Sequence, residues 1–360
     1  MADLTEELQQ RLKGKVGNRA QVGGIEISVL DNGPGKGSRI AWIDTGGGLR
    51  YKILIDRGMD IGEAFYLQHS LAWIGHSGVV SPQPMSDRGI DWLRTFGGGL
   101  LTTCGLSHTG GPEEDSHGSR GLHGRISNTP AEVIQIDQPD PQLGKMDFSI
   151  TGVMLETQVF GPHLRLKRKI SGALGNPHLR IEDTVVNRGN AVAPHMLLYH
   201  VNFGWPLIDE GTDLIWSGNW TSRDQDPNNR IFNASNNYKK CPAPLPAHRA
   251  TGEDVAFIDP STDSDGIYTA GVYNSKLSFG LSMEAVKSQL PWLINWQHCG
   301  ENEYVVALEP GTNPPIGQAK AREEGVLIQM EPGESKEYQL DFRIVTSEED
   351  VKKLLSINTI

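Results

Sequence analysis

The sequence predicts an all-β chain, and three observations carry the prediction. Short runs rich in Val, Ile, Leu, Tyr and Phe recur along most of its 360 residues. Gly, Pro, Asn and Asp separate them, and 42 glycines and 21 prolines supply many turns. No strand–helix–strand rhythm interrupts the succession. Frequent strands with turn signals between them specify an all-β sandwich or barrel. The missing βαβ alternation excludes a Rossmann-type sheet.

Taken in order, residues 2–14 read as a short amphipathic helix. Leu4, Leu8 and Leu12 recur at four-residue spacing, and Asp3 or Thr5 can cap it. Its expected place is a flap on the main body; a homodimer contact is another use the pattern leaves open. The β-prone runs then fall at residues 25–29, 40–43, 51–55, 131–136, 148–153, 164–170, 179–186, 195–203, 267–273, 277–283, 304–308, 325–329 and 337–344. Residues 222–250 are polar and proline-rich, with Asp224-Gln-Asp-Pro-Asn-Asn229 and Pro242-Ala-Pro-Leu-Pro246. A loop of that length in a compact domain is expected to cross a sheet edge or rim a site. Residues 346–353 read as one or two helical turns, with Thr346 or Ser347 as cap and Glu348-Glu349 in the first turn. No linker and no repeat period divides the chain. The expected organisation is a helical extension over 1–20, one sandwich domain over 21–346 and a helical tail over 347–360.

Composition bounds the function. Hydrophobic residues make up 37% and charged residues 21%, enough for a substantial core. The net charge is -11 and the arginines are scattered, which argues against a broad nucleic-acid or anionic-membrane surface. Cys104, Cys241 and Cys299 are odd in number and far apart, so neither a disulfide framework nor a zinc knuckle is expected. Reduced thiols and a first segment without the basic-then-apolar pattern of a signal peptide fit a cytoplasmic protein. No apolar run approaches the roughly 20 residues of a membrane span.

The stretch Glu303-Tyr-Val-Val-Ala-Leu-Glu-Pro-Gly-Thr-Asn313 organises the chemistry. Its apolar run reads as a buried strand ending at Glu309, with Pro310 and Gly311 starting a loop. A carboxylate at the end of a buried strand is partly desolvated, which raises its pKa and suits a general base. The alternative is a carboxylate that caps a loop or pairs with an arginine.

Four segments supply candidate partners. Asp56-Arg-Gly-Met-Asp60 offers Arg57 and Asp60, or is simply a hairpin turn with a local ion pair. Asp91-Trp-Leu-Arg-Thr-Phe-Gly-Gly-Gly-Leu-Leu-Thr-Thr-Cys104 puts Trp92 and Arg94 on one side if it is extended. There an indole covers an apolar sugar face while a guanidinium binds hydroxyls. Its glycines lack the GxGxxG or P-loop pattern. Gly121-Leu-His-Gly-Arg125 likewise pairs His123 with Arg125 in extended geometry. In Pro194-His-Met-Leu-Leu-Tyr-His-Val-Asn-Phe-Gly204, His200 and Asn202 share a strand face, while His195 has opposite parity and faces away. A buried imidazole titrating near neutrality makes His200 a natural general acid. His123, His195, His200 and Glu309 could in principle hold a metal, but no HxH or HExxH spacing is present, so no metal is expected. No GxSxG elbow supports a serine hydrolase.

Together these segments resemble the galactose mutarotase-like superfamily, the aldose 1-epimerases, and within it the DUF4432 group. The resemblance rests on Asp56-Arg-Gly-Met-Asp-Ile-Gly62, the segment Trp92 to Gly105, Gly121-Leu-His-Gly-Arg125, His200-Val-Asn-Phe203, Leu308-Glu-Pro310 and Met330-Glu-Pro-Gly-Glu334, and spans about residues 20–345. It implies a large antiparallel β-sandwich, the supersandwich, with a sugar site in an open cleft. It implies Glu309 as general base, His200 as general acid, and His123 with Arg94 or Arg125 as hydroxyl contacts. The family's further aspartate has no match identified here. The implied activity is aldose 1-epimerisation of an aldose or modified hexose, without a cofactor. Two other classes remain open at this point, a non-catalytic carbohydrate-binding protein and a metal-dependent sugar isomerase or epimerase.

Overall fold

The computed structural model describes residues 2–223, 231–233 and 235–359. Among them, an antiparallel sheet of twelve strands packs on one of eight, with a small two-stranded sheet, Glu113–Asp115 and Gly118–Arg120, beside them. The larger sheet runs from Gly24–Val29 at one edge through Asp60–Tyr66, Leu101–Leu106, Ala193–Phe203, Glu303–Gly311, Trp292–Gly300 and Asp254–Pro260 to Gly218–Ser222. The eight-stranded sheet places Ser335–Val345 between Phe279–Val286 and His178–Asn187, and ends at Glu132–Asp137.

The period-two alternation of strands sorts the side chains. From the larger sheet, Leu197, Tyr199, Val201, Val306 and Leu308 enter the main core between the sheets. Their neighbours Leu198 and Ile294 lie on the opposite face, with Cys104, Val255 and Trp92. The central strands are therefore buried on both faces, which is why 195–203 and 304–308 read as nearly continuous apolar runs. His195 points into the sandwich, where its Nδ1–H donates to the Leu106 carbonyl (2.9 Å) and Tyr338 Oη donates to its Nε2 (2.7 Å).

A buried ionic clamp ties the sheets together. Arg168 donates to both Asp183 carboxylate oxygens, to the Gly58 carbonyl and to Thr103 Oγ1, and lies 3.3 Å from Asp60 Oδ1. Tyr199 Oη also donates to Asp183 (2.7 Å), and Thr103 donates twice to Asp60. Burial pushes the Asp60 carboxyl up to about 6, against the pull of Arg168 and the Thr103 hydrogen bonds. Arg57 is equally committed: its guanidinium donates to the carbonyls of Ser127, Val80 and Thr95. Arg57 and Asp60, expected to contact substrate, are both buried and bonded to local partners, which favours a framework role for each.

Other expectations shift in detail. The strand of Glu309 runs on through Pro310 to Gly311. Residues 60–66, 101–106, 254–260 and 292–300 are strands that composition hid, because Gly, Thr, Asn, Gln and Asp dilute their apolar texture. The run 325–329 shortens to Ile328–Met330, behind an unexpected helix, Gly317–Glu323. The end helices are Ala2–Leu12, whose Leu8 packs on the core, and Glu348–Ser356, whose Ser347 cap accepts from the Asp350 amide (3.1 Å). Among the described residues no helix is long and apolar enough to cross a membrane.

Candidate active site

The outward face of the larger sheet floors a cleft of about 450 Å³. The pairs Leu198–Gly311 and Val201–Leu308 fix the register of two central strands, and His200 and Glu309 fall opposite each other between them. Pro310 has no N–H to give, and the ladder is interrupted there. His200 Nε2 lies 3.3 Å from Glu309 Oε1. Both side chains are nearly inaccessible, at 8% and 3%.

Burial dominates their electrostatics. It pushes the Glu309 carboxyl well above the ordinary range, and the nearby Glu253 charge adds to the effect. It pushes His200 down to about 4, partly offset by Asn202. Glu309 Oε1 and His200 Nδ1 are buried without a hydrogen-bond partner. Such orphaned atoms facing a cleft are what a bound polar molecule would satisfy.

Aromatic side chains wall the pair. Phe96 and Trp296 lie 5.2 and 5.3 Å from the His200 ring, and Trp92 stacks on Phe96 at 4.5 Å. His123 packs against Trp92 (5.0 Å) and meets His200 edge-on at 6.2 Å. The Gly110 amide donates to His123 Nδ1 (3.3 Å), which leaves the proton of the neutral ring on Nε2. Burial, with His200 beside it, pushes His123 down to about 3, so it is a neutral donor at physiological pH. At the rim, Trp296 Nε1 donates to Glu253 Oε2 (2.6 Å) and Arg223 donates to Glu253 Oε1 (2.7 Å). His298, bonded to the Gly252 carbonyl (2.6 Å), completes this side. Among the described residues no three His, Cys, Asp or Glu side chains are grouped to hold a metal.

A family model described as a domain of unknown function, DUF4432, matches residues 35–344. The chain belongs to the DUF4432 family. Its fold is galactose mutarotase-like. A candidate aldose 1-epimerase from Klebsiella pneumoniae aligns over 95% of this chain and 90% of its own, at 23% identity and a TM-score of 0.84. A galactose mutarotase-like protein from Clostridium acetobutylicum aligns over 91% and 100%, at 14% identity and 0.62. Galactose 1-epimerase from Lactobacillus acidophilus aligns over 89% and 98%, at 11% identity and 0.57. At such identities the likeness is one of fold. None of the curated proteins matches the chain.

In this DUF4432 protein the cleft gathers His200, Glu309, His123 and Trp92. It does not gather Arg94, Arg125 or Asn202. Residues 91–94 form a 3-10 helix instead of an extended segment, so Trp92 turns inward while Arg94 points to solvent beside Asp91 (2.9 Å). His123 takes a left-handed backbone (φ 56°), which sends Arg125 into a different cavity. Asn202 is fully buried and donates to the carbonyls of Gly99 and His200, bracing the strand behind the site. The triple glycine serves a close backbone crossing: a Cβ on Gly99 (φ 103°) would sit 2.6 Å from the Ile61 carbonyl.

Sequence reasoning missed Glu253, Arg223, Trp296 and His298. The last two had a signal, since Trp292, Ile294, Trp296 and His298 alternate along one strand face. Arg223 lies in the 222–250 loop expected to rim a site, though nothing singled it out within that loop, and Glu253 had no signal. The 222–250 loop contributes Arg223 and Ala250 from its two ends to the cleft, while 224–230 and 234 lie outside the described residues.

Proposed function

We propose that this protein is an aldose 1-epimerase-like isomerase that interconverts the anomers of a small sugar, with His200 and Glu309 as its acid–base pair. The observation that carries the reading is the 3.3 Å approach of His200 Nε2 and Glu309 Oε1 in an aromatic cleft. In a cyclic sugar the anomeric hydroxyl and the ring oxygen sit on the same carbon, C1. Two titratable groups this close can serve both oxygens at once. Glu309 takes the hydroxyl proton, the oxygen lone pair forms the C1=O bond, the C1–O5 bond breaks, and His200 delivers a proton to O5. Rotation about C1–C2 presents the other carbonyl face. Glu309 then returns its proton to the carbonyl oxygen, and His200 retrieves the one on O5 as the ring closes.

The cycle alternates between a carboxylate–imidazolium pair and a neutral pair. Burial favours the neutral pair, which is the form that accompanies the open-chain sugar. The ring-opening transfers therefore restore the favoured form, while forming the ion pair from the neutral resting pair is opposed by the same burial. No cofactor enters these steps. In this reading His123 Nε2–H and Glu253 hold hydroxyls, and Phe96, backed by the stacked Trp92, covers an apolar sugar face with Trp296. The unit that carries this chemistry is the sandwich domain over 21–346.

The test is proton exchange spectroscopy between α and β anomers over a panel of aldoses. Accelerated exchange that falls by about 10²–10⁴-fold in both Glu309→Gln and His200→Ala is the expected result. Binding without acceleration for every sugar would replace the enzyme by a carbohydrate-binding protein.

A further inference from the structure

A second cavity, of about 440 Å³, opens on the other side of the segment 121–125, and we infer that it is an accessory carbohydrate site separate from the catalytic cleft. The two share a wall. Leu122 and His123 line the cleft, whereas Gly121, Gly124 and Arg125 line the second cavity. Its other walls come from the Gly118–Arg120 strand, the turn at 158–162 and the helix Gly317–Glu323.

Two features call for a ligand. Phe160 stands on the lip, at the tip of the turn joining Asp147–Thr157 to His163–Ala173, and its side chain is wholly exposed. An unburied phenyl ring forgoes the stabilisation that covering it would give, and its electron-rich face suits the C–H groups of a pyranose. Inside, His108 is 1% exposed and lines the cavity, yet its Nδ1 has no hydrogen-bond partner. The nearest carboxylate oxygen, Glu113 Oε1, is 3.6 Å away.

The charges select a neutral ligand. Arg120 is answered by Glu113 (2.7 Å) and Asp115 (2.8 Å), Arg322 by Asp115 (3.6 Å) and Arg125 by Asp87 (3.9 Å). Glu156 adds a further carboxylate, which accepts from the amides of Leu106 and Ser107. Each cation thus has an acidic neighbour, so an anion gains little here. A lining that mixes donors and acceptors suits hydroxyls, which both donate and accept. A neutral glycosyl ring, edge-on to the polar walls and face-on to Phe160, meets all of these conditions.

Isothermal titration with methyl glucoside, methyl galactoside, methyl mannoside and methyl xyloside tests this, since a methyl glycoside has no free anomeric hydroxyl and cannot turn over. Two binding events per chain are expected with at least one of these probes. Phe160→Ala should weaken one event about ten-fold, Arg125→Gln should weaken the same event, and Glu253→Gln should weaken only the other. Anomer exchange of free aldoses by Phe160→Ala should equal that of the wild type. A single event indifferent to Phe160→Ala, or no event with any probe, overturns the accessory site whether or not the cleft is catalytic. A Phe160-dependent event seen only with sugar phosphates overturns its neutral class.

Discussion

His200 and Glu309 face each other across two antiparallel strands, with 3.3 Å between Nε2 and Oε1. Glu253, a further carboxylate lining the cleft, raises the Glu309 pKa along with burial, and the close approach of His200 and Glu309 couples their protons as a unit. The active form carries one proton between the two groups. It should be lost on the acid side as His200 takes the second proton near pH 4, and on the alkaline side as the pair loses its remaining proton at the raised pKa of Glu309. A bell-shaped pH profile of kcat/KM follows. A profile that rises steadily with pH would instead mean catalysis by one base alone.

The same carboxyl should weigh on stability. Its folded pKa lies above the ordinary 4.5. The unfolded chain therefore gives up this proton more readily, and folding is opposed at every pH above about 4.5. Glu309→Gln should then stabilise the protein at pH 8 while lowering anomer exchange by about 10²–10⁴-fold. The gain should vanish as pH falls below 4.5, where both states keep the proton. Urea midpoints of the two proteins at pH 8 and pH 4 measure the difference. A loss of stability at pH 8 would show that Glu309 is held as a well-solvated or paired anion.

Recognition at the rim makes a third prediction. Arg94 is largely exposed and bonds only to Asp91 among the partners described, so Arg94→Ala should leave kcat/KM within about two-fold. Glu253 lies in the cleft and is fixed by Trp296 and Arg223, so Glu253→Gln should raise KM and lower kcat/KM by about ten- to hundred-fold. Saturation kinetics on the best aldose separates the two. Equal effects would mean that the hydroxyl-binding wall has been placed on the wrong side.

These contrasts show which information the sequence carries. Strands built of Val, Ile and Leu announce themselves, and so does a lone His or Glu set in such a run. Parity along a strand is also legible, as it was for His200 and His195, which turn to opposite sides of the sheet. Register is not: nothing in the strands around His200 and Glu309 says that they pair, or at which residue. Short segments of three to five residues mislead when they are not extended. Trp92 and Arg94 diverge because the chain tightens into a 3-10 turn, and His123 and Arg125 diverge because one residue is left-handed. Glu253 was hidden for a different reason, since only the folding of distant loops onto one face gives a lone charge a site.

The buried clamp around Arg168 yields the last prediction, and it also decides between two uses of Asp60. Asp183 makes the shortest contacts to the guanidinium, 2.6 Å to Nη2, and accepts from Tyr199 as well. Removing its charge leaves Arg168 buried and poorly balanced, so Asp183→Asn should cost about 3–5 kcal/mol. Asp60 is farther, at 3.3 Å, and burial has already raised its pKa to about 6. Its ordinary value is 3.8, so the charged form opposes folding above that pH and the penalty is largest above pH 6. An asparagine keeps an oxygen for the two Thr103 hydrogen bonds and removes the penalty. Asp60→Asn should therefore change stability by no more than about 1 kcal/mol in urea unfolding at pH 7. Its anomer exchange at saturating sugar should match the wild type, because Asp60 lies outside the cleft. A folded Asp60→Asn protein with exchange reduced ten-fold or more would return Asp60 to the substrate site that the sequence suggested for it.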